Sequence, residues 1–222
     1  MKACCLFCAL LLGAVLDTRA SITTTYTYTS GFANSGIVPD NDLNGWQDTR
    51  TISGFGYGDG PWQITDLDVT LNIAGGFNGD LYGTLVHDSG FVVLLNHVGS
   101  TLGNPAGYSN PGMNIVFDQS AVTDVHAYGT VAGVVSGTYQ PDGTGSPATS
   151  LNNFNSLTPN GNWTLFLSDT SFGDQSQVLG WGLQITAVPE PTTIALGAFG
   201  ILTAGAWAVR LARRKSKTKD QE

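Results

Sequence analysis

Residues 64–73 read Ile64-Thr65-Asp66-Leu67-Asp68-Val69-Thr70-Leu71-Asn72-Ile73. From Asp66 onward every second side chain is apolar, and the ones between are Asp, Thr or Asn. Successive side chains of a strand point to opposite faces, so this alternation turns one face to a core and the other to water. The same period returns in Trp163, Leu165 and Leu167 within 162–168, and in Leu179, Trp181, Leu183 and Ile185 within 178–186. It places Trp163 and Trp181 in the core. Further strands are predicted over 22–29, 49–54, 81–87, 91–97, 113–118 and 129–135. Clusters of Gly, Asn, Asp and Pro separate them, and no ten-residue stretch keeps a helical period. The expected fold class is all-β, an antiparallel, jelly-roll-like β-sandwich. Residues 141–150, rich in Gly, Pro, Ser and Thr, read as a long loop within it.

Composition narrows the function classes. Residues 21–187 contain thirteen Asp, no Glu, no Lys and the single Arg50, a formal net charge of −12. The whole-chain value of −8 hides this acidity because the other basic residues sit near the two ends. Nucleic acid is excluded as a partner, since binding it needs Lys and Arg to neutralise phosphates. Divalent cations suit such a surface. The preference for Asp over Glu also follows from turn chemistry in a chain without helices. Cys4, Cys5 and Cys8 are the only cysteines. They fall in an N-terminal segment with Lys2, the apolar run 3–16 and Thr18-Arg19-Ala20, the pattern of a signal peptide cleaved after residue 20. The mature domain, 21–187, is expected to hold no thiol and no disulfide.

At the other end Val188-Pro189-Glu190-Pro191 precedes an uncharged run of 18 residues, 192–209. As a helix the run reaches about 27 Å, enough to cross a hydrocarbon core of roughly 30 Å. Arg210, Arg213, Arg214, Lys215, Lys217 and Lys219 follow, and the net charge of +4 over 210–222 directs that end to the cytoplasm. A glycolipid-anchor signal would instead end in its apolar stretch. Motif, span and basic tail together resemble the PEP-CTERM sorting signal of Gram-negative bacteria. The resemblance implies recognition through Val188, Pro189, Glu190 and Pro191 by an exosortase-type membrane enzyme after Sec-type export and signal-peptidase cleavage. The chain would be held briefly in the inner membrane and then passed to the cell surface or beyond.

The domain itself carries an ordered series of pieces. They are Val38-Pro39-Asp40, the strand from Ile64, Asn78-Gly79-Asp80-Leu81, and Asp88-Ser89-Gly90 before Val92-Val93-Leu94-Leu95. Gly137-Thr138-Tyr139-Gln140-Pro141, residues 151–154, Gly161-Asn162-Trp163-Thr164-Leu165 and the segment from Asp169 to Leu183 follow. Over residues 34–187 this order resembles the P domain of proprotein convertases, a jelly-roll sandwich that accompanies subtilisin-like proteases and also occurs alone in exported bacterial proteins. One departure is Ala74-Gly75-Gly76-Phe77, where that family usually has a histidine before its Gly-Asp-Leu turn.

His87-Asp88-Ser89 has the residue types of a hydrolytic triad, but neighbours on a strand or tight turn cannot converge, and the Gly-x-Ser-x-Gly elbow is missing. His97 and His126 lack spaced partners for zinc. Asp40, Asp42, Asn44 and Asp48 put oxygen ligands at alternating positions around Gly45, and Asp169 with Asp174 forms a second acidic loop. These six residues are the calcium candidates, against the alternative of solvated turns; the missing twelfth-position Glu excludes an EF-hand. Trp46 and Trp62 stand in loop-like sequence and leave open a stacking platform for polysaccharide. The expectation is a non-catalytic exported surface or extracellular protein. The alternatives are an accessory module of a subtilisin-like protease system and a polysaccharide-binding matrix protein or adhesin.

Overall fold

The computed structural model describes residues 21–56, 61–129, 131–143 and 150–189, together with Gly205, Trp207 and Arg210. The expected signal peptide, Glu190, Pro191 and, apart from those three positions, the apolar run and basic tail lie outside the described residues. Among the described residues no helix is long and apolar enough to cross a membrane.

The chain forms strands β1 (Ile22–Tyr28), β2 (Asp42–Ile52), β3 (Trp62–Gly75), β4 (Leu81–His87), β5 (Gly90–Asn96), β6 (Gly112–Phe117), β7 (Val135–Tyr139), β8 (Gly161–Asp169) and β9 (Ser176–Pro189). One sheet runs β1-β9-β3-β6-β7 and the other β2-β8-β4-β5. Leu67, Val69, Leu71 and Ile73 from β3 meet Leu85 from β4, Leu94 from β5 and Leu165 from β8 in one buried cluster between the sheets. The all-β sandwich expected from the alternation is therefore present. Trp163 and Trp181 are its largest fully buried side chains.

The pairing departs from expectation in one respect. β7 runs parallel to β6, from Met113 opposite Val135 to Phe117 opposite Tyr139, so the sandwich is not wholly antiparallel. The strand expected over 129–135 is also absent among the described residues there, and β7 begins only at Val135. Gly129 and Gly133 sit at φ of +81° and +73°, a left-handed backbone outside regular strand geometry. Val131 and Val134 are left exposed.

Two bulges adjust the long central pair of β3 and β9. The register slips between Ile64 and Asp66 and again between Asn72 and Ile73. At the second slip Gly180 faces Asn72 and Val178 faces Ile73, which leaves Leu179 as the extra residue. Leu179, expected inside, is 44 % exposed for that reason. β9 continues through Val188, opposite Gln63, and Pro189, opposite Trp62. The first half of the expected sorting motif thus closes the sheet, two residues beyond the expected domain end.

A polar latch ties β2 to β9. Asp48 Oδ2 accepts from Arg50 Nε and from Trp181 Nε1, both at 2.7 Å. Arg50 Nη2 also donates to the Ser30 carbonyl at 2.7 Å, and its guanidinium lies 4.9 Å from the Tyr28 ring centroid and 5.4 Å from that of Phe32. The one arginine of the domain is thereby spent on a single buried carboxylate.

Candidate functional site

The two acidic loops singled out in the sequence meet at one end of the sandwich. Asp169 closes β8, the strand flanked by β2 and β4, and stands opposite Asp42 on one side and Leu81 on the other. Just beyond it, Gly173 N donates to Asp40 Oδ2 at 3.1 Å, joining the segment before β2 to the segment after β8. Thr170 donates through its N–H and its hydroxyl to the Asp80 carbonyl, both at 3.0 Å. Asp40, Asp80, Asp169 and Asp174 therefore gather from three separate parts of the chain.

The remaining calcium candidates do not join them. Asp48 is drawn into the latch with Arg50 and Trp181. Asp42 Oδ1 accepts from Asn44 N and Asn44 Nδ2, both at 2.9 Å, which closes a local turn. The expected single loop from Asp40 to Asp48 is divided because residues 42–52 are a strand, and a register shift between Asp42 and Trp46 puts Asp42 out of phase with Asp48. Gly45 makes the bulge between Asp42 and Trp46: its φ is +59°, and an added Cβ would run into the Leu167 carbonyl. Asp80 is the member that the sequence reading missed. Its place in Asn78-Gly79-Asp80-Leu81 marked a turn, and only the pairing of β4 with β8 brings it beside Asp169.

Burial and mutual repulsion govern these carboxyls. Asp169 is wholly buried, and its Oδ1 accepts from Ser171 N at 3.2 Å while Oδ2 has no partner. Burial pushes its pKa up to about 6; the Ser171 N–H opposes this, and the charges of Asp80, Asp40 and Asp174 add to it. Asp80 is likewise raised, first by burial, with Ser171 and His97 opposing and Asp174 and Asp40 adding. Asp40 Oδ1 is a second buried oxygen without a partner. Among the described residues no three His, Cys, Asp or Glu side chains are grouped so that they could hold a metal ion.

The histidines are committed to hydrogen bonds within the fold. His87 is buried and stacked on Trp163 at 3.9 Å, with Nδ1 2.9 Å from the Asn162 carbonyl and Nε2 2.7 Å from that of Thr158. Asp88 and Ser89 are exposed on the turn between β4 and β5, with Asp88 at φ +51°. The three side chains diverge, as the turn reading requires. His97 pairs with Asn96 Oδ1 at 3.1 Å and Thr170 Oγ1 at 2.9 Å. His126 Nδ1 lies 2.8 Å from the buried Asp142 Oδ2, and its Nε2 lies 3.0 Å from the Ser100 carbonyl. Burial lowers the His126 pKa, but hydrogen bonds to Asp142 and Ser100 and the charges of Asp142 and Asp124 outweigh it and leave it raised.

Trp46 and Trp62, left open as a stacking platform, are 4 % and 6 % exposed. Trp46 Nε1 donates to the Ala33 carbonyl at 2.9 Å, and its ring packs edge-on against Phe32. Neither indole offers a free face to a sugar.

No family model and no curated protein matches the chain. Solved structures similar to it include two from Aeromonas sobria. One is the Aeromonas sobria serine protease in complex with the chaperone ORF2, at 12 % identity and a TM-score of 0.47, covering 77 % of this chain and 27 % of that one. The other is the serine protease of Aeromonas sobria, at 11 % identity and a TM-score of 0.45, covering 75 % of this chain and 27 % of that one. This chain thus spans about a quarter of their length, and at such scores neither likeness assigns an activity or a partner.

Proposed function

We propose that this chain is an exported, non-catalytic surface or extracellular β-sandwich, delivered by a signal peptide and released from a C-terminal sorting signal by an exosortase-type enzyme. The observation that carries the reading is the order of Val188-Pro189-Glu190-Pro191, the uncharged run 192–209 and Arg210, Arg213, Arg214 and Lys215. The acidic, cysteine-free domain upstream suits an extracellular setting. The commitment of His87, His97 and His126 to hydrogen bonds within the fold supports reading none of these three as a general base. A tagged chain followed by cell fractionation tests delivery: the wild type is expected at the surface or in the medium, and Glu190→Ala is expected to accumulate in the inner membrane. Equal distribution of the two would remove the sorting role of the motif.

A second reading, an accessory module of a subtilisin-like protease system, is supported by the ordered P-domain-like motifs. The jelly-roll wiring belongs to that resemblance. Several of its pieces fall on strands or on the turns joining them: Asn78-Gly79-Asp80 leads into β4, Asp88-Ser89 joins β4 to β5, and Gly161-Asn162-Trp163 opens β8. Co-purification of a subtilisin-family protease with the exported chain would favour this reading over a free-standing surface domain. Polysaccharide binding would need a surface other than Trp46 and Trp62.

A further inference from the structure

The inward side of β1 is incompletely covered. β1 is the outer strand of its sheet, and period two separates Thr23, Thr25 and Thr27, all exposed, from Ile22, Thr24 and Tyr26 on the other side. Ile22 is nevertheless 45 % exposed, and Thr24 and Tyr26 are only half-buried. These three line one wall of a cleft, Ser53 and Phe55 from the turn after β2 line another, and Trp62 at the start of β3 completes it. The cleft holds about 340 Å³, within the range of small-ligand sites. Its Phe55 wall is set in place: Phe55 N donates to Asn160 Oδ1 at 3.1 Å, and the Phe55 carbonyl accepts from Asn160 Nδ2 at 2.8 Å. The Phe55 ring also packs edge-on against Trp62, with centroids 6.3 Å apart. Such a wall costs a ligand little ordering. Three of the lining residues, Thr24, Tyr26 and Ser53, carry hydroxyls, and no lining residue carries a charge. Trp62 is 6 % exposed, and its Nε1 is a buried donor without an acceptor, a costly state.

From this lining we infer that the cleft between β1 and the turn after β2 binds a sugar residue of a neutral polysaccharide. A sugar ring presents the two surfaces the cleft asks for. Its C–H face packs on the half-buried rings of Tyr26 and Phe55, and its hydroxyls, each both donor and acceptor, match those of Thr24, Tyr26 and Ser53 and supply the acceptor that Trp62 Nε1 lacks. Trp62 contributes this N–H rather than a stacking face, as its burial requires. Charge selects the class of ligand. No cation lines the cleft and the domain carries a formal −12, so acidic polysaccharides and phosphate esters are disfavoured. A proline-rich peptide could use the two rings, but its prolines have no N–H to offer the three hydroxyl oxygens.

The test titrates the purified full chain, in mild detergent, by calorimetry with dextran, laminarin and galactomannan as neutral probes. Polygalacturonate serves as the acidic control and decaproline as the peptide control. At least one neutral glycan is expected to give a saturable heat, and neither control should. Tyr26→Phe and Ser53→Ala each delete one hydroxyl and leave the rings and the core in place; each should weaken binding about fivefold, the loss of one hydrogen bond. Phe55→Ala should weaken it at least about tenfold, and the two hydroxyl variants decide the matter if that protein does not fold. Thr27→Val, on the opposite side of β1, should titrate like the wild type. The inference is overturned if no neutral glycan gives a saturable heat, if Tyr26→Phe and Ser53→Ala bind as tightly as the wild type, if Thr27→Val weakens binding as much as they do, or if polygalacturonate or decaproline binds equally well. Glycan binding does not depend on the sorting step, so either proposal can fail alone.

Discussion

Removing the Arg50 guanidinium tests the logic of the latch. In Arg50→Ala, Asp48 keeps the Trp181 indole N–H at 2.7 Å but loses its cationic partner while remaining only 8 % exposed. The variant also loses the donation to the Ser30 carbonyl and the guanidinium contacts with Tyr28 and Phe32. Deleting one partner of a buried ion pair costs about 3–5 kcal/mol. Arg50 is partly solvated, at 24 % side-chain exposure, so the lower end applies and a loss of about 3 kcal/mol is expected. For a domain of this size that lowers the melting temperature by roughly 6–12 °C. Denaturant melts followed by Trp fluorescence report it directly, because Trp181 is part of the latch. In the Arg50→Ala background, Asp48→Asn should recover part of the loss, since the stranded charge disappears; in the wild type the same change should destabilise. Loss of less than about 0.5 kcal/mol, or equal effects of Asp48→Asn in both backgrounds, would refute the latch as a coupled unit.

Other consequences follow from single sites. Trp163→Ala removes a fully buried ring between His87 and Phe154 and should cost about 3–5 kcal/mol in denaturant melts. Asp68 is pushed up to about 6 by burial and by Asp118 and Asp66, so the folded state holds its proton more tightly than the unfolded chain. Its contribution to stability is full below about pH 3.8 and lost as pH rises through about 6. Asp68→Asn should flatten that part of the melting profile. The raised His126 pKa gives a contribution that is present below pH 6.5 and lost as pH rises through the folded value; His126→Gln should remove it. Gly45→Ala, at φ +59° and facing the Leu167 carbonyl, should be destabilised by more than about 1 kcal/mol.

The sequence was most legible where burial and period two coincide. Leu67, Val69, Leu71 and Ile73 are all inside, and so are Trp163 and Trp181, because alternation in a two-layer fold leaves them one place to go. It was least legible where one residue shifts the phase. Leu179 and the stretch before Trp46 both sit at bulges, which invert side-chain direction without changing composition. The Asp-Asn-Gly wording of 40–45 reads as a turn, yet β2 already begins at Asp42. The stretch 129–135 reads as a strand, yet left-handed Gly129 and Gly133 break it. The parallel β6–β7 pair and the gathering of Asp40 with Asp80, Asp169 and Asp174 depend on contacts between distant segments, and no local pattern encodes those.

Mass spectrometry of the mature protein from its native host tests the central claim most directly. The sorting account predicts a chain that starts at or near Ser21 and ends close to the 188–191 motif, without 192–222. Pairing of β9 through Pro189 places the expected cut at or beyond residue 189, where the sheet is left intact. A surface or extracellular form that retains the apolar run and the basic tail through Glu222 would contradict it.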